Sequence, residues 1–117
     1  MPRFGVDGIL KPAEIADVTQ YVLALGGMPS DSTSAKRGAV TYGAQCAACH
    51  QENGKGNQEL GAPNLTDAIW LYGSTQADIT ESIQTGRGGA MPAWAGRLQP
   101  EDIKMLAVYV HALGGGK

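Results

Sequence analysis

The chain has 117 residues, enough for one compact domain and an appendage. Hydrophobic residues make up 43%, an ordinary globular share, yet no apolar run approaches the ~20 residues needed to span a bilayer. A formal charge of −2 lends no support to nucleic-acid binding.

The first 27 residues are one half of an internal repeat. Met1-Pro2-Arg3-Phe4-Gly5 matches Met91-Pro92-Ala93-Trp94-Ala95. After a two-residue difference in length, Leu10-Lys11-Pro12-Ala13-Glu14-Ile15 lies on Leu98-Gln99-Pro100-Glu101-Asp102-Ile103. Tyr21-Val22-Leu23-Ala24-Leu25-Gly26-Gly27 lies on Tyr109-Val110-His111-Ala112-Leu113-Gly114-Gly115. The apolar face of the first copy (Ile15, Val18, Val22, Leu25) calls for a packing partner, on this chain or on a second copy.

Residues 28–34 are small and polar and read as a linker. Ser34 is placed to cap a helix starting near Ala35. That helix runs into Cys46-Ala47-Ala48-Cys49-His50, the attachment sequence of a c-type haem. Two thiols three positions apart can each add to a vinyl group of one porphyrin, and the imidazole that follows can reach the iron. A thioredoxin-like site would want a strand before the motif. A zinc site would want a second Cys or His pair, but the chain has two cysteines, and its other histidine is the distant His111, read as an exposed helix residue. A single Phe leaves the aromatic core thin, a shortfall that a buried macrocycle would make good.

Asn53, Gly54, Gly56 and Asn57 mark a loop after the motif. The Pro63 carbonyl is free to accept from the far nitrogen of His50, which would fix the imidazole tautomer. Thr66 is expected to cap a short helix over 67–72, ended by Gly73. Thr75 and Asp78 form a capping box for a helix over 76–85, with Ile79 and Ile83 facing inward. Met91 lies in the glycine-rich loop Gly88-Gly89-Ala90-Met91-Pro92 and is the candidate second axial ligand. The glycines let backbone pass close to a porphyrin, and Pro92 fixes the chain direction. Trp94 reads as core. The last helix begins at Pro100, carries Glu101 and Asp102 in its first turn, and shows an apolar stripe of Ile103, Leu106, Ala107, Val110 and Leu113. No strand signal occurs. The expected fold is all-α, about four helices around one covalently bound haem, plus an extra N-terminal helix.

With these residues laid out, residues 35–117 resemble a class I cytochrome c domain. In that family a glycine and an aromatic residue of the first helix cross a Leu/Tyr pair of the last, and Gly38, Tyr42, Leu106 and Tyr109 stand at those positions. The segments Gly61-Ala62-Pro63-Asn64-Leu65-Thr66-Asp67-Ala68-Ile69-Trp70-Leu71-Tyr72-Gly73 and Gly86-Arg87-Gly88-Gly89-Ala90-Met91-Pro92-Ala93-Trp94 narrow the likeness. They resemble the C-terminal haem domain of the dihaem CcoP/FixP subunit of cbb3-type cytochrome c oxidases. Residues 1–27 then resemble the truncated tail of that subunit's preceding haem domain. The resemblance implies one haem c held by Cys46 and Cys49, with His50 proximal and Met91 distal. It offers Trp70, Tyr72 and Arg87 as contacts to the haem propionates. It implies a one-electron carrier rather than an enzyme. The implied partners are a soluble donor and the oxidase core subunits or the preceding haem domain. The implied location is the periplasmic side of the bacterial inner membrane, with an export or anchor segment upstream. Two other readings stay open: a gas-binding or sensing haem with a displaceable methionine, and a small peroxidase, which would need a distal acid/base group and is disfavoured because no second histidine lies near the distal loop.

Overall fold

A computed structural model describes residues 1–115. Among the described residues five α-helices follow in order: α1 Pro12–Leu25, α2 Ser32–Gln45, α3 Ala47–His50, α4 Gln76–Thr85 and α5 Pro100–Val110. A π-type turn, His111–Gly115, continues α5. Among the described residues there is no strand, only an isolated bridge between Asn57 and Ala62. The architecture is the expected all-α one of the class I cytochrome c type. No helix of the described residues is long and apolar enough to cross a membrane.

Local chemistry sets the helix ends. Pro12 opens α1, where its missing N–H costs nothing, and Glu14 Oε2 accepts from the Lys11 N–H at 2.7 Å. Helix α2 starts one turn earlier than the Ser34 cap would place it. The Asp31 carboxylate accepts from the Ser34 N–H at 2.8 Å and so takes the capping role itself. Thr75 and Asp78 form the expected box at the start of α4, with Asp78 Oδ2 accepting from the Thr75 N–H at 3.1 Å. The helix expected over 67–72 does not form; a bend at 67–68 and a turn at 71–72 take its place. The Thr66 N–H and hydroxyl both donate to Asn64 Oδ1, at 2.8 and 2.7 Å, in a local turn rather than a helix start.

The core is built by α1 lying across α2 and α4. Ile15, Val18, Val22 and Leu23 of α1 bury against Tyr42 of α2 and Ile79 and Ile83 of α4. Phe4 and Leu10, ahead of α1, complete the cluster. Phe4 and Gly5 donate their N–H groups to the carbonyls of Ile83 and Gln84, both at 3.1 Å, which ties the N-terminal segment to the end of α4. Gly38 is the crossing point. A Cβ there would overlap the Asp17 carbonyl and lie 2.9 Å from Val18 Cα. Beside it the Tyr21 and Tyr42 rings meet at 4.9 Å between centroids. Arg37 of α2 forks onto Asp17 of α1 with two hydrogen bonds of 2.8 Å.

The crossing expected between Gly38–Tyr42 and Leu106–Tyr109 is therefore made by Val18 and Tyr21 instead. Helix α5 starts at Pro100 as expected but packs against none of the other four helices. Leu106 is 50% exposed and Tyr109 62%. Trp94, expected in the core, is also exposed, with the Arg97 guanidinium over its ring at 5.3 Å. In this structure the Gly38 face of α2 holds the N-terminal copy, α1.

Candidate haem site

The attachment motif is wound into a single turn at the end of α2. The Cys46 carbonyl accepts from both the Cys49 N–H at 3.1 Å and the His50 N–H at 2.9 Å. That turn gathers two sulfurs and one imidazole within five residues. It ends at Gln51, which takes φ 64°, a conformation L-residues seldom adopt. The strained residue is held from the core: the Tyr42 hydroxyl donates to the Gln51 carbonyl at 2.9 Å. Tyr42 is almost fully buried, and desolvation pushes its hydroxyl up to about 12, so it remains a donor at any physiological pH.

The loop over 51–65 then returns toward His50. Gly56 donates to the His50 carbonyl at 2.9 Å, and Asn57 and Ala62 exchange two N–H···O bonds of 2.9 Å. This return places the Pro63 carbonyl 3.0 Å from His50 Nδ1. A carbonyl only accepts, so Nδ1 carries the proton. In the neutral ring Nε2 is then left with its lone pair, the form a metal requires. Gly56 makes the return possible. It sits at φ 81°, and a Cβ there would lie 2.6 Å from the Pro63 carbonyl carbon.

The two sulfurs differ. Cys46 is buried in the core cluster and Cys49 is exposed; both are free. Burial, then the neighbouring Cys49, pushes the Cys46 thiol up to about 11. Such a thiol is protonated at neutral pH, which suits disulfide exchange poorly. Among the described residues no group of three or more His, Cys, Asp or Glu side chains could hold a metal ion, so the zinc alternative loses its ligands.

The other candidates come from the segments after the motif loop. Arg87 stacks its guanidinium over the Tyr72 ring at 4.4 Å and donates from Nε to Ser82 Oγ at 3.0 Å. Trp70 is half-buried and packs on the core, near Gly26 at the end of α1. Met91 is 85% exposed in the irregular segment between α4 and α5. The donor set fits a c-type haem: two free sulfurs on one turn and an imidazole fixed through Nδ1. The loops beyond the motif also present Leu60, Ile69 and Leu71, each with most of its side chain exposed. A macrocycle would cover apolar surface of that kind. These three leucine and isoleucine positions escape periodicity analysis because they follow neither a helical nor an alternating pattern. Their only signal is apolar residues in an otherwise polar, glycine-rich stretch.

The sequence matches the family described as cytochrome C oxidase, cbb3-type, subunit III over residues 33–110. Over its whole length it is 58% identical to the cbb3-type cytochrome c oxidase subunit FixP of a Bradyrhizobium species, covering 41% of that protein. It is 58% identical to FixP of Azorhizobium caulinodans and 50% identical to the CcoP subunit of Cereibacter sphaeroides, covering 40% of each. The chain thus spans about two-fifths of the length of these relatives.

Proposed function

Because the chain belongs to the family of subunit III of cbb3-type cytochrome c oxidases, we propose that it is a one-electron carrier with a single c-type haem, passing electrons toward a cbb3-type terminal oxidase. Cys46 and Cys49 would hold the group through thioether bonds, with His50 as the proximal and Met91 as the distal ligand. The haem, when bound, supplies the Fe(III)/Fe(II) couple. The observation that carries this reading is the 3.0 Å contact between His50 Nδ1 and the Pro63 carbonyl, which orients the imidazole and strengthens it as a donor. Tyr72 and Arg87 stand together and offer an O–H and a guanidinium to propionate groups. Trp70 is assigned to the same contacts through its indole N–H. The domain takes electrons from a soluble donor on the periplasmic side and gives them to the oxidase core or to the preceding haem domain. Within the relatives' full length it would be the C-terminal haem domain, with residues 1–27 the tail of its neighbour, 28–34 a linker and 35–117 the domain itself. Attachment to the membrane belongs to an upstream segment.

A second reading is a gas-binding or sensing haem, in which Met91 is a displaceable ligand. Spectroscopy of the matured protein separates the two. Carrier function requires a sulfur-to-ferric-iron charge-transfer band in the near infrared and no prompt carbon monoxide binding by the ferrous form. Replacing the thioether in Met91→His should lower the reduction potential, because imidazole favours ferric iron. An unchanged potential in that variant, or immediate carbon monoxide binding by the unmutated protein, would reject Met91 as the resident ligand.

A further inference from the structure

Two arginines of this chain present their guanidinium groups in two different ways. Arg37 uses the side of its fork: Nε and one terminal nitrogen donate to the two oxygens of Asp17, both at 2.8 Å. Arg87 does not. Its Nε donates to Ser82 Oγ at 3.0 Å in a partly buried setting, and its guanidinium carbon lies over the Tyr72 ring at 4.4 Å. A hydroxyl thus fills the side of this fork. Among the described residues no carboxylate pairs with Arg87, and Nε is the side-chain nitrogen that makes its hydrogen bond.

Helix α4 builds the arrangement from one face. Ser82 stands one turn after Asp78. Gly86 ends the helix at φ 73°, and its N–H donates to the Ser82 carbonyl at 3.0 Å, so the chain turns at once and brings Arg87 beside the Ser82 hydroxyl. The carbonyl bond would form with any residue at position 82, but the bond to Nε needs a side-chain oxygen there. Asp78 is the carboxylate that feels the Arg87 charge, yet its Oδ2 already accepts from the Thr75 N–H at 3.1 Å and from the Thr75 hydroxyl at 2.7 Å. Its carboxyl is held below the ordinary value first by the Thr75 side chain and last by the Arg87 charge.

We propose that Ser82 is a positioning residue: by holding Nε it closes the side of the Arg87 fork and commits the two terminal nitrogens to a carboxylate from outside the chain, a haem propionate. This rests on the carrier reading, which gives Arg87 to a propionate. A guanidinium pinned along one edge and stacked on one face has little rotamer freedom left to lose when that group arrives.

Two readouts on the haem-loaded chain test the role. In the ferrous protein the Arg87 Nε–H resonance should exchange slowly with water. Ser82→Ala should speed that exchange by up to about tenfold, and Ser82→Thr, which returns a hydroxyl, should restore it. Potentiometry reads the consequence at the iron. Arg87→Gln removes a positive charge that disfavours ferric iron, so the reduction potential should fall. Ser82→Ala should lower it by a smaller step, and that step should vanish when made on Arg87→Gln. Fast Nε–H exchange in the unmutated protein would end the proposal. A lowered potential in Arg87→Gln but not in Ser82→Ala would remove Ser82 from its role and leave the propionate contact standing. Equal steps from Ser82→Ala on both backgrounds would also overturn it, since Ser82 would then act without Arg87. An unchanged potential in Arg87→Gln would reject the propionate contact itself, and the proposal with it.

Discussion

Helix α2 contains two glycines whose replacement by alanine should have opposite effects. Gly43 faces open space, with nothing within 4 Å of the position a Cβ would take. Gly43→Ala should gain only the helix preference of alanine and stabilise the protein by about 0.5–1 kcal/mol. Gly38→Ala gains the same preference. Its methyl, however, would be driven into the Asp17 carbonyl and the Val18 Cα, and both are main chain that no rotamer change can clear. Overpacking of that sort costs about 1–3 kcal/mol, so the net effect should be a loss of roughly 1–2 kcal/mol. The two variants should thus differ by about 2–3 kcal/mol although the chemical change is identical. In thermal unfolding of the haem-loaded chain that gap should read as ~10 °C in midpoint, and in urea as well-separated transitions of equal slope. If Gly38→Ala stabilises as Gly43→Ala does, the close crossing of α2 is not present in solution, and the packing of the whole core must be redrawn.

Tyr42→Phe keeps the ring and removes the 2.9 Å bond to the Gln51 carbonyl. It should cost about 0.5–1.5 kcal/mol in urea unfolding and speed amide exchange over residues 51–56. Acid should weaken the protein through three carboxyls held below their ordinary value of 3.8: Asp17 by the Arg37 guanidinium, Asp31 by the Ser34 N–H, and Asp78 by the Thr75 side chain. Each folded-state value is depressed, so the stability they supply is whole above the ordinary value and drains away as pH falls through the lower, folded ones. Urea midpoints followed from about pH 6 to about pH 2 should fall in that window, and less steeply in Arg37→Gln, where Asp17 has lost its partner. An identical acid profile in Arg37→Gln would deny the Asp17–Arg37 pair its role.

Much of the helical layout is legible in the sequence because it is decided within a few residues. The Thr75–Asp78 box and the proline at position 100 are local devices, and each works as read. The return of the Pro63 carbonyl to His50 was open to inference for a different reason: a proline near an imidazole offers an acceptor and nothing else. Two features were not legible. Asp31 rather than Ser34 caps α2, and its own N–H is held by Gln20 Oε1 of α1 at 2.8 Å, a tertiary contact. That α1 crosses α2 in this structure could not be read from periodicity, since the stripes of α1 and α5 are nearly the same. Side chains off the stripe, Asp17 and Thr19, meet Arg37 and Thr80, which are distant in sequence.

The crowding at Gly56 reaches beyond its own loop. Any larger residue there would strike the Ala62–Pro63 peptide first and push the Pro63 oxygen off the imidazole. The acceptor that orients His50 is thus kept in place by the missing side chain of a residue that does not touch the ring. A change at position 56 would be felt six positions away, as an imidazole that has lost the acceptor fixing its proton on Nδ1.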